Sequence, residues 1–461
     1  MSKEIVEYWE TKRLPRMHRT SVDFRVMLDN EYNPGNMDSI LGAPYLSKDE
    51  IQERQFERVR ELIGIALNNC PLYREKYQAV GFELGDLRGW EDYHNLPIVT
   101  KNDMIEGFNG APSGEGAQGD VFYTRSSGSS GKTLKISVDN NAIIVDTLQG
   151  IRQFWIQSLQ EYSKDHTIAH VYTVPWWVDS VKEGEYQSIF ISSLIPPQEI
   201  GEILKDVSPD ILSLYPSNLA SLMEVIPEDV RKGLILTAVH SEISTKDERS
   251  GFGSELGCPV LDEYSSEELT RIALELPCGH YHVCEDTVIL DVLDPITLQP
   301  IDSGTGLAVG TNLLNESMPF IRYLQDDFIS VNSQGSCEVN WKQIEDVEGR
   351  QNDSFIKSDG SYVPPGTLLD LTYRWMFDSG INIRDFELIQ KAPNHMVANI
   401  NEPSLIDGKV VKSREHLQGL ISSLMGEVDL EFNLVDHIDK SGRKYRPIRR
   451  SFVYGNEDAL R

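Results

Sequence analysis

Residues 124–133 read Thr-Arg-Ser-Ser-Gly-Ser-Ser-Gly-Lys-Thr, and this stretch decides how the rest of the chain is interpreted. It follows a short apolar run, residues 121–123, and ends just after Lys132. Glycines let backbone N–H groups approach a ligand closely, successive N–H groups bind anions, and a lysine adds a mobile positive charge. The pattern therefore predicts a loop that holds a polyphosphate. The alternative is a flexible Ser/Gly linker, which the lysine and the apolar flank argue against.

The loop differs from the common GxxxxGK[ST] phosphate loop. That motif needs a glycine where Ser126 stands, and it needs a helix after the lysine. Here Leu134, Ile136 and Val138 alternate with polar residues, which predicts a strand. A kinase or a GTPase is therefore disfavoured.

Composition limits the class of protein. A chain of 461 residues is long enough for two or three domains, and its formal charge of −29 repels nucleic acid and anionic membranes at long range. A local cluster of N–H groups can still bind a small anion. No apolar run reaches the ~18 residues of a membrane span, no signal peptide is recognisable, and five cysteines are too few for a disulfide framework. We expect a soluble cytoplasmic protein, a monomer or a homodimer, with no nucleic-acid or membrane partner.

The hydrophobic pattern predicts α/β layers. Apolar residues at helical spacing predict a helix over 47–69, and a second helix is expected over 141–160. Short apolar runs then alternate with helical segments, at residues 167–174, 189–194, 211–214, 234–239, 260–261 and 287–293. A change of pattern at Gly349-Arg350 predicts a boundary between residues 1–348 and 349–461.

Three further segments place polar groups in a fixed order along the chain. Residues 264–268 read Tyr-Ser-Ser-Glu-Glu, residues 318–323 lead into Asp326-Asp327, and residues 349–353 read Gly-Arg-Gln-Asn-Asp. Each segment alone is weak, because acidic pairs are usually solvated surface and Gly-Arg is usually a turn. Together with the loop, their order is a stronger signal.

In this order the segments resemble those of the adenylate-forming superfamily, which comprises acyl- and aryl-CoA ligases, adenylation domains and luciferases. Three passages are similar to the phenylacetate–coenzyme A ligase branch. Residues 69–74 with 96–101 resemble its "PxYR … LPxxTK" region, residues 209–219 its "PD … YPSxL" segment, and residues 318–323 its "MPxIRY" segment. The resemblance runs from about residue 47 to the C-terminus. It implies a large multi-subdomain α/β N-terminal domain that binds ATP and a carboxylate, followed by a small mobile α+β domain.

The resemblance also implies roles for individual residues. Tyr264 would stack on or flank the adenine, Glu268 would bind Mg²⁺, and Asp327 would accept hydrogen bonds from the ribose hydroxyls, with Arg350 near the same sugar. The residues that would hold the β- and γ-phosphates of ATP are Ser126, Ser127, Gly128, Ser129, Ser130, Gly131 and Lys132.

Two further roles fall in the C-terminal domain. Asn352 aligns with the inter-domain hinge of the family. The family carries a lysine near its C-terminus that bridges the substrate carboxylate and the α-phosphate, and Lys444 is our choice for it. Without a gap in the alignment, Arg443 would occupy that position instead.

The implied reaction has two halves: a carboxylate attacks the α-phosphate of ATP and expels pyrophosphate, and the acyl-adenylate then reacts with coenzyme A. Two alternatives stay open. The acyl group could pass to an amine, giving an amide, or to a carrier-protein thiol; or the chain could be a scaffold that kept the fold and lost catalysis. Departures from the family motifs leave the scaffold conceivable, because Ser265 and Asp326 stand where the family has glycine and Glu267 where it has a hydroxyl residue.

The family binds its acid between the loop and the segment at 264–268. In this region the candidate pocket residues are Trp176, Trp177, Tyr215, Val239 and His240. His240 stands where relatives tend to have glycine, which would narrow the pocket or add a polar group. Because the region is rich in aromatic residues, we predict an aromatic or cyclic acid.

Cys278, His280, His282 and Cys284 form a compact cluster that can be interpreted as a zinc site. Some relatives in this branch hold structural zinc with ligands here and in a later Cys-x-Cys. This chain has only Ser336-Cys337 at the later place, so one expected ligand is missing. We therefore expect ordinary strand side chains here and no structural zinc.

Overall fold

The computed structural model describes residues 22–108, 121–126, 134–172, 180–182, 184–193, 195–332, 337–350, 353–363, 365–379, 385–401, 407–438 and 446–452. Helices and strands are mixed along these ranges, as the sequence predicts for an α/β protein. Within them, no helix is both long and apolar enough to cross a membrane.

The described chain begins with helices that pack on the first core. Their bounds are α1 Val22–Glu31, α2 Pro34–Gly42, α3 Lys48–Asn69, α4 Pro71–Ala79, α5 Trp90–His94 and α6 Lys101–Phe108. α3 starts at a capping box, in which Ser47 and Glu50 each accept a hydrogen bond from the other's backbone N–H. The helix buries Leu62 and Ile63. The helix predicted over 47–69 is confirmed.

The predicted phosphate loop lies between antiparallel strands β1 (Val121–Arg125) and β2 (Lys135–Asp139). Helix α7 (Asn140–Gln157) follows β2, and the Asp139 carboxylate caps it by accepting the Ala142 N–H at 2.8 Å. The strand predicted after the loop and the helix predicted near 141–160 are both confirmed.

One sheet carries most of the predicted apolar runs, in the strand order β14-β10-β9-β8-β7-β6-β3-β5-β4. Its strands are β3 Thr167–Tyr172, β4 Ser180–Lys182, β5 Glu185–Ser192, β6 Ile211–Leu214, β7 Leu236–His240, β8 Val260–Ser266, β9 Thr270–Glu275, β10 Tyr281–Val283 and β14 Gln343–Ile344. β5, β3, β6, β7 and β8 run parallel to their neighbours in that series. Their carboxyl ends therefore lie at one edge, where binding groups collect in such sheets.

The intervening helices are α8 Pro197–Val207, α9 Pro216–Leu222, α10 Glu228–Gly233 and α11 Lys246–Leu256. Buried side chains of these helices pack on one face of the parallel strands, where they meet Val171, Leu214 and Val239.

A second sheet is antiparallel and has the order β11-β12-β13-β15. Its strands are β11 Val288–Leu293, β12 Gly304–Asn312, β13 Tyr323–Val331 and β15 Asp346–Arg350. The pairing of β13 with β15 sets Asp327 opposite Arg350.

The C-terminal segment has a hydrophobic core of its own, around the fully buried Phe355 and Trp375. Its elements are β16 Phe355–Ile356, β17 Tyr362–Val363, α12 Pro365–Ser379, β18 Asp385–Ala392, β19 His395–Asn401, α13 Asp407–Met425, β20 Asp429–Leu434 and β21 Ile448–Arg450. The boundary that we predict between residues 348 and 349 stays a prediction, and β15 continues in the second sheet as far as Arg350.

Candidate active site

Tyr264, Asp327 and Arg350 meet where the two sheets adjoin. The hydroxyl of Tyr264, near the end of β8, donates to Oδ2 of Asp327 at 2.8 Å. Nε of Arg350 lies 3.6 Å from the other carboxylate oxygen. Burial and the neighbouring carboxylate raise the pKa of Tyr264, so its hydroxyl keeps the proton that it donates. The three residues that the sequence assigns to the nucleoside thus form one connected group.

Glu268 lies beside this group and is also buried. The Tyr323 hydroxyl donates to its Oε1 at 3.3 Å, and the Asn312 amide donates to its backbone carbonyl at 3.0 Å. Burial raises the pKa of Glu268, while the charges of Lys101 and Arg350 act in the opposite direction. Mg²⁺ takes oxygen ligands, and the carboxylate of Glu268 offers them at this site.

Lys101 stands at the start of α6 and is partly withdrawn from solvent. Burial lowers its pKa, and the Glu268 carboxylate opposes that effect. The side chain therefore brings a positive charge to the carboxylates of the site. A cation so placed can neutralise negative charge on a polyphosphate.

The base of the predicted phosphate loop is closed by hydrogen bonds. The Ser126 N–H donates to the Leu134 carbonyl at 3.0 Å, and the Leu134 N–H donates to the Ser126 hydroxyl at 2.9 Å. Ser126 is buried, and its hydroxyl closes the base of the hairpin. This contact differs from the phosphate contact that we predict for Ser126. Ser127, Gly128, Ser129, Ser130, Gly131 and Lys132 lie outside the described residues.

The strand before the loop is tied to the Tyr-Ser-Ser-Glu-Glu segment. The Thr124 hydroxyl donates to Oε2 of Glu267 at 2.6 Å. Glu267 is one of the departures from the family motif, and in this structure it connects β1 to the segment that carries Glu268.

The missing family glycines are accommodated differently at two positions. Asp326 adopts φ +59°, the left-handed backbone that glycine favours and that aspartate tolerates. Ser265 lies within β8 and has no positive φ. Asp326 therefore takes the left-handed backbone conformation without a glycine, directly before Asp327.

Three rings meet at the carboxyl ends of β3, β6 and β7. The ring of Tyr172 lies 4.7 Å from that of Tyr215 and 5.3 Å from that of His240, and the Tyr215 and His240 rings are 5.8 Å apart. Nδ1 of His240 is 3.0 Å from the Ser241 hydroxyl. Tyr215 and His240 thus lie together, as the pocket prediction requires.

Val239 does not join these rings. Its side chain is fully buried in the core that α8, α9 and α10 form with the sheet. Because successive side chains of a strand point to opposite faces, Val239 and His240 cannot line one pocket. The pocket prediction is therefore wrong for Val239. Trp176 and Trp177 lie outside the described residues.

The start of the C-terminal segment lies close to the nucleoside group. Gly349 has φ +93°, and a Cβ there would lie 3.1 Å from side-chain atoms of Ile243 and Pro365. Nε of Arg446 donates to Oδ2 of Asp353 at 2.9 Å. Burial, followed by the positive charge of Arg350, lowers the pKa of Arg446 to about 10. Asn352, Arg443 and Lys444 lie outside the described residues.

Two members of the predicted Cys/His cluster, Cys278 and His280, lie together with the later cysteine, Cys337. The sulfurs of Cys278 and Cys337 and a ring nitrogen of His280 all lie within 4.8 Å of one another. Cys284 is fully buried elsewhere, against a core that includes Trp341. The cluster predicted from sequence is therefore wrong for Cys284, and the expectation that no structural zinc is bound stays a prediction.

Sequence reasoning missed three residues of the site: Lys101, Tyr172 and Tyr323. Lys101 and Tyr323 belong to the "LPxxTK" and "MPxIRY" passages, which supplied the resemblance but received no role. Tyr172 is the last residue of β3. Its position at the carboxyl end of a parallel strand is the signal that could have identified it.

The chain is similar to known proteins in sequence and in fold. No protein-family model matches the chain. The phenylacetate–coenzyme A ligase of Pseudomonas putida is 24% identical over 327 residues, which cover 67% of this chain and 73% of the relative. The solved 2-hydroxyisobutyryl-CoA ligase in its postadenylation state, in complex with 2-HIB-AMP, superposes with a TM-score of 0.73 at 17% identity, over 89% of this chain and 91% of that one. The same ligase in its thioesterification state, with 2-HIB-AMP and CoA, gives a TM-score of 0.60 at 16% identity and the same coverage of 89% and 91%.

Proposed function

We propose that this chain, a member of the adenylate-forming superfamily related to its phenylacetate–coenzyme A ligase branch, activates a carboxylic acid with ATP and transfers the acyl group to coenzyme A. The observation that carries the proposal is the group formed by Tyr264, Asp327 and Arg350 beside the buried Glu268. In this group Asp327 would accept hydrogen bonds from the ribose hydroxyls, and Glu268 would bind Mg²⁺.

In the first half-reaction, the oxygen of the substrate carboxylate bonds to the α-phosphorus of ATP, and the bond to the pyrophosphate oxygen breaks. The Asp327 carboxylate accepts hydrogen bonds from the ribose hydroxyls, and Tyr264 and Arg350 orient this carboxylate. Glu268 would hold Mg²⁺, which neutralises charge on the phosphate oxygens. Lys101 and the loop at 127–132 would hold the departing pyrophosphate, so catalysis rests on positioning and electrostatics.

In the second half-reaction, the C-terminal segment turns about Asn352 and removes the lysine, Lys444 in our assignment, from the site. The thiol of coenzyme A then attacks the acyl carbon, AMP leaves, and a thioester forms. The higher TM-score with the postadenylation structure, 0.73 against 0.60, supports an arrangement of the two parts of this chain that precedes the turn.

For the acid, we propose an aromatic or cyclic carboxylate bound against Tyr172, Tyr215 and His240. The close approach of these rings supports the choice, because flat apolar groups stack on aromatic side chains. We place the enzyme in the cytoplasm, because its five cysteines are sparse and odd in number, which is untypical of secreted proteins held by disulfides.

The proposal is tested by incubating the full chain with ATP, Mg²⁺ and a library of acids, and by following pyrophosphate release with and without coenzyme A. We expect release with an aromatic or cyclic acid and a thioester only when coenzyme A is present. Hydroxylamine would trap the adenylate. Transfer of its acyl group to an amine or a carrier protein in preference to coenzyme A would show a different acceptor in the second step. No pyrophosphate with any acid would favour a scaffold.

A further inference from the structure

We infer that Glu267 is a positioning residue for the adenylation step, which ties β1 to the segment that carries Glu268; the inference rests on the proposed function. The Thr124 hydroxyl, near the end of β1, donates to Oε2 of Glu267 at 2.6 Å across 143 positions of the chain. The next residue, Glu268, accepts a hydrogen bond from Tyr323 of β13 instead. Two adjacent carboxylates therefore connect the strand before the loop to the strand that carries the ribose acceptor.

The β1–β2 hairpin is fixed by side-chain contacts at both of its ends. Among the described residues its sheet consists of these two strands. At the end away from the loop, the Asp139 carboxylate accepts the backbone N–H of Glu316 at 2.9 Å. At the loop end, Thr124 stands two residues before Ser126, which closes the base of the loop, and bonds to Glu267. This second contact sets where the loop begins relative to Glu268.

The surroundings favour a strong and directional contact. Thr124 is 5% exposed and Glu267 is half-buried, so water is largely kept from the bond. A carboxylate accepts hydrogen bonds, so the threonine is the donor, and a bond to a charged acceptor is stronger than one between neutral groups. The branched side chain of threonine has few rotamers, which limits how far the end of β1 can shift while the bond is kept.

The charge of Glu267 has a separate effect on the site. Burial raises the pKa of Glu268, Lys101 on α6 and Arg350 on β15 oppose that rise, and the carboxylate of Glu267 adds to it. Ionisation of Glu268 is thus harder with Glu267 beside it, which disfavours metal binding on acidification. The tie and the charge can be separated, because glutamine keeps an accepting oxygen for Thr124 and removes the charge.

The experiment compares the two half-reactions of the full chain, pyrophosphate release from ATP and acid, and thioester formation from a supplied acyl-adenylate. Thr124→Val should lower kcat/KM for ATP roughly tenfold, as the loss of a hydrogen bond to a charged group predicts. Thioester formation should stay unchanged, because the acyl-adenylate has no β- or γ-phosphate. Thr124→Ser restores the donor and should recover most of the loss. Thr372→Val is the matched control, since its buried hydroxyl bonds within α12 to the Leu368 carbonyl at 2.7 Å.

Variants of Glu267 test the partner. Glu267→Gln should keep most of kcat/KM for ATP at neutral pH and extend the Mg²⁺ dependence to lower pH, because a neighbouring negative charge is removed. In a Glu267→Ala background, Thr124→Val should have little further effect. Full additivity of the two losses would contradict the pairing of these side chains.

An active wild type with unchanged kcat/KM for ATP in Thr124→Val would overturn the inference and leave the proposed function intact. Equal losses in both half-reactions would also overturn it, since they indicate a general effect on folding. A wild type that neither binds Mg²⁺ and ATP by calorimetry nor releases pyrophosphate would overturn the proposed function, and the positioning role with it. Should Thr124→Val fail to fold, Glu267→Ala removes the same bond from the other side and should show the same selective loss.

Discussion

The hydroxyl of Tyr264 donates a hydrogen bond of 2.8 Å to Oδ2 of Asp327, which joins β8 to β13 across the boundary between two sheets. Arg350 approaches the other oxygen of the same carboxylate at 3.6 Å. Asp327 is thereby held between a neutral donor and a cation, and its orientation depends on residues from two distant segments of the chain.

Replacing Tyr264 by Phe should weaken ATP binding, because a hydrogen bond to a charged group contributes about 1.5–3 kcal/mol. We expect the apparent Kd for ATP to rise roughly tenfold, and more in Asp327→Ala, as measured by calorimetry. Tyr281→Phe is the matched control, since Tyr281 makes a similar buried bond of 2.6 Å to Asp262. ATP affinity equal to that of the wild type in Asp327→Ala would remove this residue from the site.

The raised pKa of Glu268 predicts how Mg²⁺ dependence changes with pH. Only the ionised carboxylate binds the metal, so the apparent Mg²⁺ affinity should fall on acidification at a pH above that of an ordinary glutamate. A raised pKa also means that ionisation destabilises the folded state at pH values above it. Glu268→Gln should therefore raise the Tm at neutral pH without Mg²⁺ while abolishing pyrophosphate release. A lowered Tm in Glu268→Gln would contradict the expectation that the ionised carboxylate destabilises the folded state.

Lys101→Ala should reduce the rate of adenylate formation, because it removes a cation beside Glu268. We expect a loss of at least about tenfold in kcat/KM for ATP, by pyrophosphate release. The pKa of Glu268 should rise further, since Lys101 lowers it. Lys76→Ala is the control, because Lys76 pairs with Asp103 at 2.8 Å instead. Equal losses in the two variants would exclude a specific role for Lys101.

His240→Ala should widen the acid pocket, because the His240 ring contacts both Tyr172 and Tyr215. We expect kcat/KM for larger ring acids to rise, relative to the smallest acid accepted, by roughly tenfold. Val239→Ala is the neighbour on the opposite face of β7. It should lower the free energy of unfolding by about 2 kcal/mol and leave the preference among acids unchanged. A changed preference among acids in Val239→Ala, with an unchanged preference in His240→Ala, would place the pocket elsewhere.

Lys444→Ala and Arg443→Ala together decide which side chain acts in the first step. The variant that removes the acting residue should abolish adenylate formation from ATP and acid, yet spare thioester formation from a supplied acyl-adenylate. The other variant should keep most of both activities, which makes each the control for its neighbour. If both half-reactions fail together in either variant, that residue has a different role.

Much of the fold was predictable because its signals are local. The alternation at residues 134–138 predicts β2, and the apolar stripe over 47–69 predicts α3, since each follows from the period of one element. The placement of Val239 and His240 on opposite faces of β7 was equally predictable, because successive side chains of a strand alternate between its two faces. We placed both in one pocket because the family binds its acid in this region, and that step was wrong for Val239.

The sequence by itself determined the loop at 124–133, the elements around it and the order of the motifs, because these depend on residue type and short-range spacing. Only the tertiary structure decided which groups meet: Tyr264 with Asp327, Lys101 near Glu268, and Cys337 with Cys278. Such meetings depend on how segments that are far apart in the sequence pack together and on which face each side chain occupies. The physical reason is that the free energy selecting them comes from burial of the whole core, which no short segment encodes.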